Sequence, residues 1–409
     1  MSVPLHVHGK AVSSFRDPVL GRVTSQPVVD IRARGDYLLR IAEIDDFGET
    51  AGYAGFLTCA IPSPSQLGFL EQAGIPAVHS LPTLSHVEDG DIVAIHPTGY
   101  VRTLYRIGSR HNAVFATDRC NSWCLMCSQP PRPIDDSDRL SEHLRLIDLI
   151  DPGCEELGIT GGEPTLLKDD LALLIERCRD LLPATVLHIL SNGRLFYYGS
   201  FARRIAAIGH PDLMIGVPLY SAVAEEHDYI VQARGAYHQT LIGLLNLARH
   251  GVQVEIRIVV HRLTYQGLGD LAEFIYRNLP FASHVTFMGL EMMGFAVPNG
   301  DKLWVDPYDY QQELDNAVSF LAATGMNVSI YNHQLCIVPR SLWRFCRQSI
   351  SDWKNDYLPE CATCSVRDRC GGFFSSSLRR RRSVHIRPFY EMVPDSLCGD
   401  LEGASSQAS

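Results

Sequence analysis

The chemistry this sequence could do is concentrated in sulfur. Twelve of its 409 residues are cysteine, and six of those fall into two short clusters. Cys120-Asn121-Ser122-Trp123-Cys124-Leu125-Met126-Cys127 is the first, and Cys361-Ala362-Thr363-Cys364 followed by Cys370 is the second. A long chain with no visible secretory leader argues for metal-binding or catalytic thiols rather than disulfides. Three thiolates suit a four-iron cluster in which one iron stays open to a non-protein ligand. Zinc would want four ligands in a structural site, or water as the fourth in a catalytic one. The first spacing also fits one face of a helix carrying ordinary buried cysteines. Pro130, Pro131 and Pro133 follow at once and argue against a long helix there. In the second cluster the spacing leaves a zinc ribbon and an iron–sulfur site both open.

Two further stretches have the composition of ligand-facing loops. Gly158-Ile159-Thr160-Gly161-Gly162-Glu163-Pro164-Thr165 puts adjacent glycines where a strand would end, allowing a ligand to approach the backbone closely. Glu163 adds an acceptor for a cationic group. Ser191-Asn192-Gly193 is small and polar at the next such place. Asp118 and His261 also fall at strand ends, where ordinary rim residues are commoner than acids or bases for substrate.

These residues need a scaffold, and the hydrophobic pattern supplies one. Strands are expected over 113–117, 156–160, 186–190, 213–219, 254–260 and 284–289. Helices are expected between them, over 141–150, 169–182, 200–208, 237–250 and 268–279, with another over 307–324. In the fourth and fifth of these, apolar residues recur three and four apart: Leu241, Leu244, Leu245 and Ala248, then Leu271, Phe274, Ile275 and Leu279. Six βα units in series imply an α/β fold with a parallel sheet and helical crossovers, either a partial barrel or a doubly wound sheet. In a barrel, the site belongs at the C-terminal ends of the strands. The cysteine loop, the Gly-Gly loop and the Ser-Asn-Gly loop all fall there. Residues 1–111 read as β-rich, with short runs at 37–41 and 91–95 and a turn at Asp89-Gly90.

The three loops in this order resemble the radical S-adenosylmethionine (SAM) superfamily. The resemblance implies a partial (β/α)6, TIM-like barrel over about residues 112–300. Cys120, Cys124 and Cys127 would hold a [4Fe-4S] cluster whose open iron is chelated by SAM. Gly161, Gly162 and Glu163 match the stretch that binds the methionine amino group. Ser191 and Asn192 match positions near the ribose or carboxylate, and Met126 matches the position beside the adenine. Arg257 is a candidate for the SAM carboxylate or for an ordinary barrel ion pair. The reductively formed 5′-deoxyadenosyl radical would abstract hydrogen from an unactivated carbon, so the cofactor carries the hard step.

After such a barrel, the second cluster resembles the SPASM/twitch extensions, which hold auxiliary [4Fe-4S] clusters. A full SPASM run would carry another cysteine where Phe374 stands, so one twitch-like cluster is expected over residues 301–378. Its fourth ligand is expected at Cys336, with Cys346 second; Cys59, Cys154, Cys178 and Cys398 read as structural thiols. Residues 379–409, with four consecutive arginines, read as a basic, flexible tail. Cys124–Pro131, residues 349–355 and 367–374 resemble the His-Xaa-Ser system radical SAM maturases, C-type subunit. That resemblance implies a peptide substrate with His-Xaa-Ser repeats, a second radical SAM maturase, a small accessory protein and an external electron donor.

Composition bounds the rest. Thirty-six Lys and Arg against 46 Asp and Glu give a net charge of −10, contrary to a general nucleic-acid binder. With 46% hydrophobic residues the chain can bury a sizeable core. No apolar run reaches the roughly 18 residues of a membrane span. The expectation is a soluble cytoplasmic enzyme.

Overall fold

The computed structural model describes residues 5–12, 15–41, 51–348 and 356–391. The Ser349–Asn355 motif and Cys398 lie outside the described residues.

Seven parallel strands form a curled sheet, in the order of the chain. They are β1 (His111–Phe115), β2 (Glu156–Thr160), β3 (Val186–Leu190), β4 (Leu213–Pro218), β5 (Gln253–Val260), β6 (His284–Gly289) and β7 (Val328–Tyr331). Helices Arg139–Leu149, Asp169–Leu181, Gly199–Ala207, Ala236–Arg249, Leu268–Asn278 and Gln311–Ala323 cover the outside. This is the expected partial barrel with one strand more than the six anticipated. β7 pairs with β6 from Val285–Val328 to Met288–Tyr331. Its four residues lie within the 301–378 stretch expected to carry the auxiliary cluster, too short a run to register as a periodic strand.

The alternation along each strand divides the molecule into two environments. Leu157, Ile159, Leu187, Ile189, Ile215, Val217, Ile256, Ile258, Val285 and Phe287 are fully buried in the main core. The alternate positions are mostly not apolar. His111, Glu156, His188, Gly216, Glu255, Arg257 and His284 line a cavity enclosed by the curl. A closed barrel fills its interior with branched apolar side chains, whereas these inward positions leave it hollow, with charged groups inside.

Before the barrel, residues 6–105 form an eight-stranded sheet. His6–His8 pairs with Tyr100–Tyr105 at one end, and Lys10–Ala11 pairs with Ala77–His79 at the other. One short segment therefore occupies both edges and closes the sheet, with only Gly9 between the two strands. A Cβ on Gly9 would lie 2.5 Å from the His79 carbonyl oxygen. This unit has its own core around Leu38, Phe56, Leu57, Val78 and Val93. Leu20, Ile92, Ala94 and Tyr105 join the barrel's core instead, and Arg145 pairs with Asp36 at 2.7 Å. No helix among the described residues is long and apolar enough to cross a membrane.

Candidate active site

The loop after β1 carries Cys120, Cys124 and Cys127 without forming a helix. Its shape is imposed from outside. Trp123 and Leu125 donate their backbone N–H groups to Val231 and Ile230 at 3.0 and 2.9 Å. Phe295 N–H donates to the Cys127 carbonyl at 2.8 Å, and Asn299 Nδ2 donates to the Leu125 carbonyl at 3.0 Å. Arg194 clamps the other end, donating to the Asn121 carbonyl and to Ser122 Oγ. Arg194 and Asn299 are functional supports that sequence reasoning missed. Arg194 stands directly after Ser191-Asn192-Gly193 and had that one signal; Asn299 had none.

The Gly-Gly loop serves the cysteine loop first. A Cβ on Gly161, which has φ +147°, would lie 2.5 Å from the Thr117 carbonyl oxygen; one on Gly162 would lie 2.2 Å from that of Arg119. The close approach these glycines permit is therefore to the segment leading into Cys120, although both also line the cavity. Gly162→Ala is expected to displace that segment. Iron bound at the first cysteine cluster, measured after anaerobic reconstitution, should fall severalfold while the far-ultraviolet circular dichroism stays that of the parent.

Glu163 is wholly buried and its carboxylate is fully engaged. It accepts from Thr165 Oγ1 at 2.5 Å, Ser191 Oγ at 2.7 Å and the N–H groups of Thr165 and Asn192 at 3.0 and 2.6 Å. It ties the end of β2 to the end of β3. Ser191 is likewise spent on this tie. Asn192 instead faces the cysteine loop, its Nδ2 donating to Asn121 Oδ1 at 2.6 Å and lying 4.0 Å from Cys120 Sγ. Met126, Gly161, Gly162, Ser191, Asn192 and Arg257 line one cavity with all three cysteines.

Those thiols suit a cationic centre. Burial, with Glu163 and then Cys127 adding to it, pushes Cys120 up to about 11. Burial and the charges of Cys127 and Cys120 push Cys124 higher still. Three such neighbours stay protonated at neutral pH unless a metal centre offsets their charge, and a coordinating metal deprotonates thiols outright. Tyr220, wholly buried against Cys124 and Cys127, forms the underside of the loop.

The cavity, about 1590 Å³, runs from this mouth to a charged floor. His111 Nδ1 lies 3.1 Å from Glu156, Glu156 lies 3.8 Å from His188, and His188 Nε2 lies 3.1 Å from Glu255. Glu255 also holds Arg257 at 2.5 Å and His284 at 3.2 Å. The pair between β3 and β5 passes across β4 because Gly216 leaves room: a Cβ there would lie 2.8 Å from His188 Nε2. Arg257, expected as a SAM contact or an ion pair, makes the ion pair while still lining the cavity. Against burial, Arg257 and then His188 and His284 hold the Glu255 carboxyl well below its usual range.

Burial opposes charge on His188, but Glu156 and Glu255 outweigh it and raise it to about 8. A raised histidine contributes stability that is complete below its ordinary 6.5 and is lost as pH rises through about 8. The stability advantage of the parent over His188→Gln, by urea unfolding, should shrink by about 2 kcal/mol between pH 6 and pH 9.

Asp118 and His261 do not reach this cavity. Asp118 is buried and bound by Arg132 and Arg139 at 2.6 and 2.9 Å. Burial drives the wholly enclosed His261 down to about 3.

Residues 114–275 match the family model of the Radical SAM superfamily. The match covers less than half of the chain. Among curated proteins, the chain is similar to the pre-heme d1 synthase of Dinoroseobacter shibae, 32% identical over 39% of this chain and 38% of that protein. It is also similar to the GTP 3′,8-cyclase of Nautilia profundicola, 30% identical over 44% of this chain and 55% of that protein. Both are enzymes, and the chain spans about half or less of their length. The Streptococcus suis SuiB crystal structure bound to S-adenosylmethionine aligns with a TM-score of 0.43 at 16% identity, covering 54% of this chain and 50% of that one. A radical SAM domain implies a [4Fe-4S] cluster and SAM. The loop residues fit both: Cys120, Cys124 and Cys127 would hold the cluster, and the cavity wall would hold SAM.

The second set of thiols follows the matched stretch, with Cys364 and Cys370 packed against the main core. Burial raises Cys336 to about 11, and the charges of Cys370 and Cys361 add to it. Cys370 in turn feels Cys361 and Cys364. Cys346 is buried in the main core, against which Cys364 and Cys370 also pack, and its Sγ lies 3.5 Å from the Leu342 carbonyl. Cys154 and Cys178 are also core residues, and Cys59 is exposed. Among the described residues no three cysteine, histidine or carboxylate ligands, in either set of thiols, stand close enough together to hold a metal ion. Phe374, just past these thiols, also lines the radical SAM cavity.

Proposed function

We propose that this chain is a radical SAM maturase that modifies a peptide carrying His-Xaa-Ser repeats, with an auxiliary [4Fe-4S] cluster on Cys336, Cys361, Cys364 and Cys370. The observation that carries this reading is the cavity. It begins at three cysteines, passes Gly161, Gly162 and Asn192, and ends on the His111–Glu156–His188–Glu255 floor. When bound, the cluster and SAM supply a carbon-centred radical able to take hydrogen from an unactivated C–H bond. The chain's own residues shape the space: the cysteine loop is fixed by Arg194 and Asn299, and the charge-balanced floor favours a polar guest such as a peptide segment.

In this reading residues 1–111 bind the peptide or a partner subunit, alongside a second radical SAM maturase, a small accessory protein and an external electron donor. Both edges of the N-terminal sheet are occupied, so a partner would meet its faces or loops rather than add a strand. The names of the curated relatives favour a second reading, a small heterocyclic substrate. Anaerobic reconstitution with SAM, reductant and either a His-Xaa-Ser peptide or GTP, followed by mass spectrometry, separates them. A mass change confined to the peptide supports the maturase; a change in GTP alone supports the alternative.

A further inference from the structure

The segment after the second set of thiols was expected as a loose basic tail. Residues 379–391 instead return across those thiols. Arg381 is held by Asp301 at 2.5 Å and lies over the Trp304 ring at 5.9 Å. Ser383 is buried, Val384 N–H donates to Asp306 Oδ2 at 3.3 Å, and His385 stacks on Tyr308 with ring centres 3.9 Å apart. The far end is fixed separately. Phe389 packs edge-on against Trp343 at 5.1 Å, with the Arg340 guanidinium over both rings at 5.5 and 5.4 Å. Ser365 N–H donates to the Phe389 carbonyl at 2.8 Å, and Ser365 Oγ to the Glu391 carbonyl at 2.7 Å.

Between these anchors the backbone turns a donor onto sulfur. Phe389 N–H donates to Cys364 Sγ at 3.4 Å. The strap therefore adds a donor to one sulfur of this set. Hydrogen bonds to the sulfurs of an iron–sulfur cluster, together with its exposure, set the reduction potential. A donor stabilises the more negative, reduced state, so it raises the potential.

We propose that residues 383–391 are a strap that raises the reduction potential of a cluster on Cys336, Cys361, Cys364 and Cys370, through the backbone N–H group of Phe389. This rests on the reading that those four thiols hold a cluster. The strap's side chains are anchors, and its function is carried by the backbone.

The test uses the full-length chain with Cys120, Cys124 and Cys127 replaced by Ala, reconstituted anaerobically, so that only the second cluster is seen. Phe389→Pro removes the N–H. Redox titration followed by electron paramagnetic resonance is expected to show its potential shifted negative by about 59 mV, a tenfold change in a one-electron equilibrium. Phe389→Ala keeps the N–H and should show no negative shift. An unchanged potential in Phe389→Pro, with iron retained, would overturn the strap's role. If Phe389→Pro loses its iron or fails to fold, electron–nuclear double resonance decides. In the parent labelled with 15N-phenylalanine, a 15N coupling to the cluster is expected, vanishing in Phe389→Leu. Absence of that coupling, or its persistence in Phe389→Leu, overturns the proposal. If the parent holds no iron at all, the cluster reading itself has failed, and the strap's role with it.

Discussion

Replacing Cys120, Cys124 and Cys127 together with Ala is expected to abolish 5′-deoxyadenosine formation, down to the level of a protein-free control. About four of about eight irons per chain should remain, the number one cysteine-ligated cluster holds. The substitutions should not unfold the barrel. The loop is pinned through its backbone, by Val231, Ile230, Phe295 and Asn299 at one end and Arg194 at the other, and none of those bonds uses a thiol. Undiminished SAM cleavage in this variant would remove the first cluster from the mechanism.

The second large effect separates two cysteines ten residues apart. Cys336→Ala is expected to lose the remaining cluster, about four irons per chain by iron and sulfide analysis. Cys346→Ala should keep it. Cys336 is charge-coupled to Cys361 and Cys370, whereas Cys346 is enclosed by the apolar core and turned toward the Leu342 carbonyl. Its cost falls on packing instead, about 1 kcal/mol as for other small losses in a core. One zinc in place of four irons in the parent would point to a ribbon. Loss of iron from Cys346→Ala but not from Cys336→Ala would move the fourth ligand.

The barrel was legible because its strands alternate and its helices repeat at three and four. β2, β3 and β6 begin and end where the pattern places them. β7 escaped because four residues carry too little periodicity. The site loops were legible by residue type, but their inner logic was not. The two glycines were read as making room for a ligand, and they first make room for the Thr117 and Arg119 carbonyls. Glu163 was read as an acceptor facing the site, and its carboxylate is consumed by Ser191, Asn192 and Thr165. Long-range partners of this kind leave no mark on local spacing. The charged floor was missed for the same reason. His111, Glu156, His188, Glu255 and His284 come from five strands, and only the curl of the sheet makes them neighbours. The arginine-rich end was legible only in part: Arg379, Arg380 and Arg382 are exposed as their charge suggests, but Arg381 lies over Trp304, and His385 and Phe389 beyond the run pack on Tyr308 and Trp343.

The most direct test follows one atom. A His-Xaa-Ser peptide with its carbon-bound hydrogens replaced by deuterium would be incubated anaerobically with the reconstituted full-length chain, SAM and reductant. The expected result is 5′-deoxyadenosine carrying deuterium, formed together with a mass change in the peptide. Deuterium-free 5′-deoxyadenosine beside an unaltered peptide, from protein with both clusters loaded, would contradict the peptide-modifying role.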